Sequence, residues 1–256
     1  MSKKKIGLVL SGGGYKSAAH IGAYKAMQEL GIEADLVAGT SAGAVVGAFI
    51  AAGHGWEVMM DFLEKTELIS YRNYTFHKAG LFDSAKYRHL FDQYFPENSF
   101  ESLKIPLFVA ATDLIEGKTH YFYRGELIKP LIASCAVPGV FSPVPIEDML
   151  LCDGGITNNF PIEPLLVMSD EIIGVYVNHL NSATCGSFKS SVSVLQRAYM
   201  IIRKTQFEQK LSSCDVLITP PNTVPLNFMS RNNLEEIFEM GYRTAIEKLS
   251  EWKMKR

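Results

Sequence analysis

Three short glycine-bearing stretches carry residue types that could do acyl chemistry. The first is Gly39-Thr40-Ser41-Ala42-Gly43, which fits the pattern G-x-S-x-G. A serine hydroxyl must stand exposed on a tight turn to reach a carbonyl carbon, and the flanking Gly39 and Gly43 leave room for that turn. The second is Gly12-Gly13-Gly14, followed by Tyr15, Lys16 and Ser17. Consecutive glycines free their backbone N–H groups to point into a site, and the helix that follows adds its positive end. That arrangement suits a developing oxyanion. It suits a phosphate as well. The third is Asp153-Gly154-Gly155. A carboxylate held on a glycine turn can take the proton of a serine hydroxyl. Taken alone, Asp-Gly is a common hairpin turn, and a lone G-x-S-x-G arises often by chance.

The phosphate alternatives are incomplete in this chain. Gly12-x-Gly14-x-x-Ser17 lacks the third glycine of a dinucleotide fingerprint. Lys16-Ser17 lacks the glycine that precedes lysine in a Walker loop, because Tyr15 stands there. A nucleotide-binding protein using Gly12 to Ser17 therefore stays as a rival reading. His179 is the histidine that a Ser-Asp-His chain order would nominate. It reads as an ordinary loop residue, and His20, just inside the first helix, reads as structural. His and Cys lack metal-ligand spacing, acidic calcium loops are absent, and no cofactor is expected.

These residues need elements to hold them. Ile6 to Leu10 is a short continuous apolar run, a buried strand. Ala18 to Leu30 carries a helical apolar face and ends at Gly31. Asp35 to Ala38 is a second buried strand, and Ala44 to Ala52 a small-residue helix. Residues 56–100 are rich in Phe, Tyr and charge. They read as two or three helices around residues 78–81, outside the sheet, as a cap. Strands follow at Pro106–Thr112, Thr119–Tyr123, Met149–Cys152, Glu171–Val177 and Val216–Thr219. Helices are expected at Glu126–Cys135, at Val192–Leu211 and near the C-terminus, where Asn232 with Glu235 resembles a capping box. Alternating strands and helices imply a mainly parallel sheet covered on both faces, with ligands at the carboxyl ends of its strands. Both Gly12–Gly14 and Gly39–Gly43 fall there.

Composition narrows the classes. The chain has 256 residues, enough for one large α/β domain. Its formal net charge of −2 and lack of a basic stripe argue against nucleic acid. No apolar stretch approaches the roughly 20 residues of a membrane span. The run after Lys3-Lys4-Lys5 is too short for a secretion signal. Four cysteines at 135, 152, 185 and 214 form no C-x-x-C pair. They read as reduced thiols in a reducing compartment, so a cytoplasmic location is expected.

Together the three motifs resemble those of the patatin-like phospholipases. Gly12 to Lys16 matches that family's oxyanion motif and Gly39 to Gly43 its nucleophile elbow. Asp153-Gly154-Gly155, with Asn158, Asn159 and Pro161, matches its second catalytic motif. Ala133 to Pro138, with Phe141 and Pro143, is similar to a further block. The resemblance covers residues 5–180, with a fainter match to the C-terminus. It departs at Ser17, where the family usually has glycine, and at Tyr15, bulkier than the expected small residue and placed to narrow the acyl entrance.

The resemblance implies a single three-layer α/β/α domain. It implies a Ser41–Asp153 dyad, an oxyanion hole from the Gly12–Gly14 loop, and support from Lys16, Gly39, Gly43, Gly154 and Gly155. Lys16 orders the loop, meets a lipid phosphate, or is a solvated lysine at a helix start. The substrate implied is a fatty acyl ester of a phospholipid, lysophospholipid or neutral lipid, met in transient contact with a membrane or micelle surface. The contact is expected through residues 56–100 or the basic, apolar-striped stretch at 192–211. Some members of the family are exported without a conventional signal. A catalytically degenerate lipid-binding protein, with Ser17 responsible, is a second rival. A thioesterase or peptidase on the same dyad is a third.

Overall fold

The computed structural model describes residues 4–67, 75, 79–178 and 180, positions 183, 184, 186, 188, 194, 197–202 and 204, and residues 210–221 and 233–255. Eight strands form one sheet: β1 (Ile6–Leu10), β2 (Leu36–Thr40), β3 (Leu107–Asp113), β4 (Lys118–Phe122), β5 (Val144–Ile146), β6 (Met149–Asp153), β7 (Glu171–Val175) and β8 (Val216–Ile218). The spatial order is β5-β6-β3-β2-β1-β7-β8, with β4 also on β3. The pairs from β3 through β2, β1 and β7 to β8 are all parallel. The β3–β4, β3–β6 and β5–β6 pairs are antiparallel. The expected α/β fold with a mainly parallel central sheet is therefore the one observed.

The two faces of the sheet carry unequal layers. Ile6, Leu8 and Leu10 point into the larger core with α1 (Ala18–Glu29), α2 (Ala42–Ala52), α3 (Trp56–Lys65) and α6 (Leu234–Met254). Val9, Leu36, Ala38 and Phe108 point the other way, against Phe160, Ile162 and Leu165. Among the described residues that second layer includes the short α5 (Glu163–Met168). Strands buried on both faces read as unbroken apolar runs, which is why β1 and β2 were legible.

α1 is tied to α6 by two reciprocal close approaches. A Cβ on Gly22 would lie 2.1 Å from the Phe238 carbonyl oxygen, and one on Gly241 would lie 2.2 Å from that of Ala19. Because α1 leads directly out of the first glycine loop, this packing also steadies that loop. The end of α1 is a Schellman turn, with Ile32 N–H on the Met27 carbonyl at 2.8 Å and Gly31 at φ 64°.

Several boundaries differ from expectation. The described part of residues 56–100 contains α3 and a 3-10 stretch at Ser84–Leu90; residues 68–74 and 76–78 lie outside the described residues. The helix expected at 126–135 is α4 (Ile128–Ser134). Pro130 occupies its first turn, where the missing N–H costs no helical bond. β5 was not expected because Pro145 interrupts it; as an edge strand paired only to β6 it tolerates proline. α6 starts after Asn233, which makes no side-chain cap bond; the capping box expected of Asn232 with Glu235 falls on a residue outside the described ones. Much of 192–211 lies outside the described residues, as do His179, Arg203 and Asn232. Among the described residues no helix is long and apolar enough to cross a membrane, and no cluster of His, Cys, Asp and Glu could hold a metal ion.

Candidate active site

Strand register brings Ser41 and Asp153 to the same place. On β3, Ala110 pairs with Tyr121 of β4 on one edge and Thr40 of β2 on the other. The next residue, Ala111, pairs with His120 of β4 and with Asp153 of β6. β2 and β6 thus occupy the same edge of β3, run in opposite directions and meet end to end. Ser41 follows the last residue of β2, and Asp153 is the last residue of β6. Both line one cavity of about 430 Å³.

Ser41 sits at φ 54° and ψ −130°, a conformation that costs a non-glycine residue about 1–3 kcal/mol. The surroundings hold it there. Its N–H donates to Ser134 Oγ at 2.7 Å, and the Ser134 hydroxyl donates onward to the Ala110 carbonyl at 2.6 Å. The Thr40 hydroxyl donates to the Asn158 carbonyl at 2.8 Å. Gly43 presses the turn against the end of β1, since a Cβ there would lie 2.4 Å from the Ser11 oxygen and 2.5 Å from that of Leu10. Gly39 closes the turn on itself, against Ala44 at 2.6 Å. α2 starts directly after Ser41, so its positive end faces the hydroxyl.

Asp153 is fully buried. Its N–H donates to the Ala136 carbonyl at 2.9 Å, and its Oδ1 accepts the Gly155 N–H at 2.7 Å. Gly154 lies flush on β3, where a Cβ would be 2.2 Å from the Ala110 oxygen. The Cys135 thiol sits beside both site residues. Its pKa is pushed up by burial and then by the Asp153 carboxylate, so it stays neutral. Burial followed by Asp153 and Asp113 pushes Cys152 up to about 12. Its place at the end of a strand is the small buried position expected.

The glycine loop divides its work. Gly12 was expected among the oxyanion donors, but its N–H donates to the Asn159 carbonyl at 3.2 Å and it does not line the cavity. Gly13 and Gly14 do line it, and no hydrogen bond from either N–H occurs among the described residues. At Gly13 ψ is 3°, so its nitrogen and that of Gly14 lie on one side. Lys16 is buried at 5% exposure on the cavity wall, so it is not the solvated lysine that one reading allowed. Ser17 stands at φ −60° and ψ −14°, a conformation open to any residue. The backbone therefore does not require the family's usual glycine there.

His20 is fully buried behind the loop, with Nε2 on the Ser11 carbonyl at 2.8 Å. Burial pushes it down to about 4, so it is neutral, and no histidine lines the cavity among the described residues. This agrees with the structural role expected of it. The rest of the wall is apolar, with Phe62, Leu63, Phe91, Ile132 and Phe141 prominent.

Sequence reasoning noticed Ser134 and Asn158 only as members of motifs, without their supporting contacts, and missed Asn178. Asn158 ties the loop after Asp153 to Tyr121 (2.7 Å), Glu163 (2.9 Å) and Lys210 (2.5 Å). Asn178, just beyond β7, donates to the Gly12 carbonyl. The paired asparagines at 158 and 159 were a visible signal; nothing in the local sequence marked Asn178.

The family model described as patatin-like phospholipase matches residues 8–166. The chain belongs to the patatin-like phospholipase family. An NTE-family protein of Mycobacterium tuberculosis is 34% identical over 180 residues, which are 69% of this chain and 50% of that protein. The neuropathy target esterase of Drosophila melanogaster is 32% identical over 177 residues, covering 64% of this chain and 12% of its own length. The chain thus spans about half the length, or less, of these relatives. Among solved structures, VipD from Legionella pneumophila superposes with a TM-score of 0.55 at 15% identity, covering 97% of this chain and 67% of VipD. The type III effector ExoU gives 0.50 at 14% identity, covering 98% and 54%. At such identities the agreement is one of fold.

Proposed function

We propose that this patatin-like chain is a serine acyl hydrolase that cleaves fatty acyl esters through an acyl-Ser41 intermediate, with Asp153 as its general base. The observation that carries the reading is the end-to-end meeting of β2 and β6, which puts a strained serine and a buried carboxylate on one apolar cavity. Ser41 Oγ attacks the ester carbonyl while Asp153 takes its proton. The tetrahedral oxyanion lies against the Gly13 and Gly14 N–H groups. Asp153 returns the proton to the leaving alcohol, and a water activated by the same carboxylate then hydrolyses the acyl enzyme.

The cavity supports a fatty acyl substrate. Its volume of about 430 Å³ is in the range of small-ligand sites, and its wall would shelter a hydrocarbon chain from water. Relatives named as phospholipase and esterase point the same way. A nucleotide polyphosphate fits poorly against Phe62, Phe91 and Phe141. In this reading the chain acts as one hydrolase domain in which α3 and the Ser84–Leu90 stretch cap the cavity. It works without a cofactor and meets its substrate at a lipid surface on the cytoplasmic side.

The test is hydrolysis of a lysophospholipid and of p-nitrophenyl esters of increasing chain length by the wild type and Ser41→Ala. Ester turnover that drops by at least about 10³-fold in Ser41→Ala supports the reading. Turnover equal in the two proteins rejects it.

A further inference from the structure

Two carbonyl groups in the glycine loop are held by specific donors. The Gly12 carbonyl accepts from Asn178 Nδ2, and the Gly13 carbonyl accepts from the Lys16 N–H at 3.3 Å. In a trans peptide the C=O and the following N–H point in opposite directions. Fixing the Gly12 carbonyl therefore fixes the Gly13 N–H, and fixing the Gly13 carbonyl fixes the Gly14 N–H. The second restraint is a local turn that the loop makes by itself. The first comes from the segment just beyond β7, 166 residues away in sequence.

The ground on which Asn178 stands is rigid. Val177 N–H donates to Ser11 Oγ at 3.1 Å, and Ser11 N–H donates to the Val175 carbonyl at 3.1 Å. The Val177 side chain backs Gly13 so closely that a Cβ there would lie 2.6 Å from its Cγ2. Asn178 itself is 94% buried and lines the cavity. A glycine peptide without such a partner can rotate at little cost, and an N–H aimed away from the developing charge gives no stabilisation.

We infer that Asn178 is a positioning residue of the oxyanion hole: by holding the Gly12 carbonyl it aims the Gly13 N–H at the transition-state oxygen. The inference rests on the acyl hydrolase reading above. It predicts an effect on the transition state rather than on substrate binding. Asp at this position keeps the shape but replaces the donor with a carboxylate that repels the Gly12 carbonyl; Ala removes the donor and the bulk.

The experiment measures kcat, KM, thermal midpoint and inhibition by an alkyl trifluoromethyl ketone, whose serine adduct carries an oxyanion, for wild type, Asn178→Ala and Asn178→Asp. Expected is a kcat about 10- to 100-fold lower in Asn178→Ala and lower still in Asn178→Asp, with KM within about 3-fold. Ketone affinity should fall in proportion to kcat/KM. Folded variants with kcat within about 2-fold of wild type overturn the inference and leave the hydrolase reading standing, as does a lower kcat with unchanged ketone affinity. A wild type that neither turns over esters nor binds the ketone removes the hydrolase reading, and this inference with it.

Discussion

On the sheet side of the cavity, the Ser41 N–H, the Asp153 carboxylate, the Gly12 carbonyl and the Gly13 carbonyl each have a named partner. On the opposite side the wall is held by packing. Phe62 lies against Phe49 and Phe91 at ring-centroid distances of 5.0 and 5.7 Å, and Tyr87 meets Phe141 edge-on at 5.5 Å. Tyr15, in the glycine loop, links the two sides by donating to the Thr66 carbonyl beyond α3 at 2.5 Å. Bond-making chemistry depends on sub-ångström placement, which directional hydrogen bonds supply. A hydrocarbon chain needs only an apolar space of suitable size, which packing supplies. Sheet-side changes should therefore alter kcat, and changes opposite should alter which acyl chains are accepted.

Phe62→Ala gives the largest expected change in stability. Truncating this buried ring should cost about 3–5 kcal/mol, read by denaturant unfolding. In the protein that remains folded, the preferred p-nitrophenyl ester should shift to longer chains, with kcat for the best ester within about 3-fold. A collapse of kcat with an unchanged chain profile would break the division of labour.

His20 tests the sheet side through pH. Its folded pKa of about 4 is below the ordinary 6.5. The unfolded chain therefore binds the proton more readily, and stability falls as pH drops from 6.5 to 4. The loss from this one group should be about 3 kcal/mol, measured as unfolding free energy against pH. His20→Leu should remove that part of the pH dependence.

Ser134→Ala leaves the Ser41 N–H without its acceptor, at a cost of about 1–3 kcal/mol. It should lower kcat by about 10-fold with KM nearly constant, because the strained elbow loses its restraint. A rise in KM alone would place Ser134 in substrate binding instead. Tyr15→Phe, the smallest change, deletes the hydroxyl that bonds the Thr66 carbonyl. About 1 kcal/mol of stability should go, together with a modest broadening of the chain-length profile.

Much of this was legible in the residues themselves. Gly39–Gly43 and Asp153–Gly155 stood out as turns that could present a serine and a carboxylate, because tight turns demand glycine at fixed offsets. β1, β2 and β3 announced themselves as unbroken apolar runs. The C-terminal helix held a clear period. What stayed hidden depends on register and on contacts between distant segments. No local pattern says that β6 continues the edge of β3 where β2 stops, that Asn159 closes off the Gly12 N–H, or that Asn178 reaches back to Gly12. Ser134 looks like any small residue near a helix end until β3 is placed behind it. Residues 56–100 were read as two or three helices from their aromatic density; among the described residues they hold α3 and a 3-10 helix, from which Tyr87 packs into the core, with Phe82, Phe91 and Phe95 flanking it.

The most direct measurement is covalent labelling by a fluorophosphonate, followed by intact mass and peptide mapping, on wild type, Ser41→Ala and Asp153→Asn. The account predicts one adduct per chain, carried by Ser41, absent from Ser41→Ala and formed at least about 10²-fold more slowly in Asp153→Asn. A well-folded wild type that takes up no label, or labels equally fast without the Asp153 carboxylate, would contradict it.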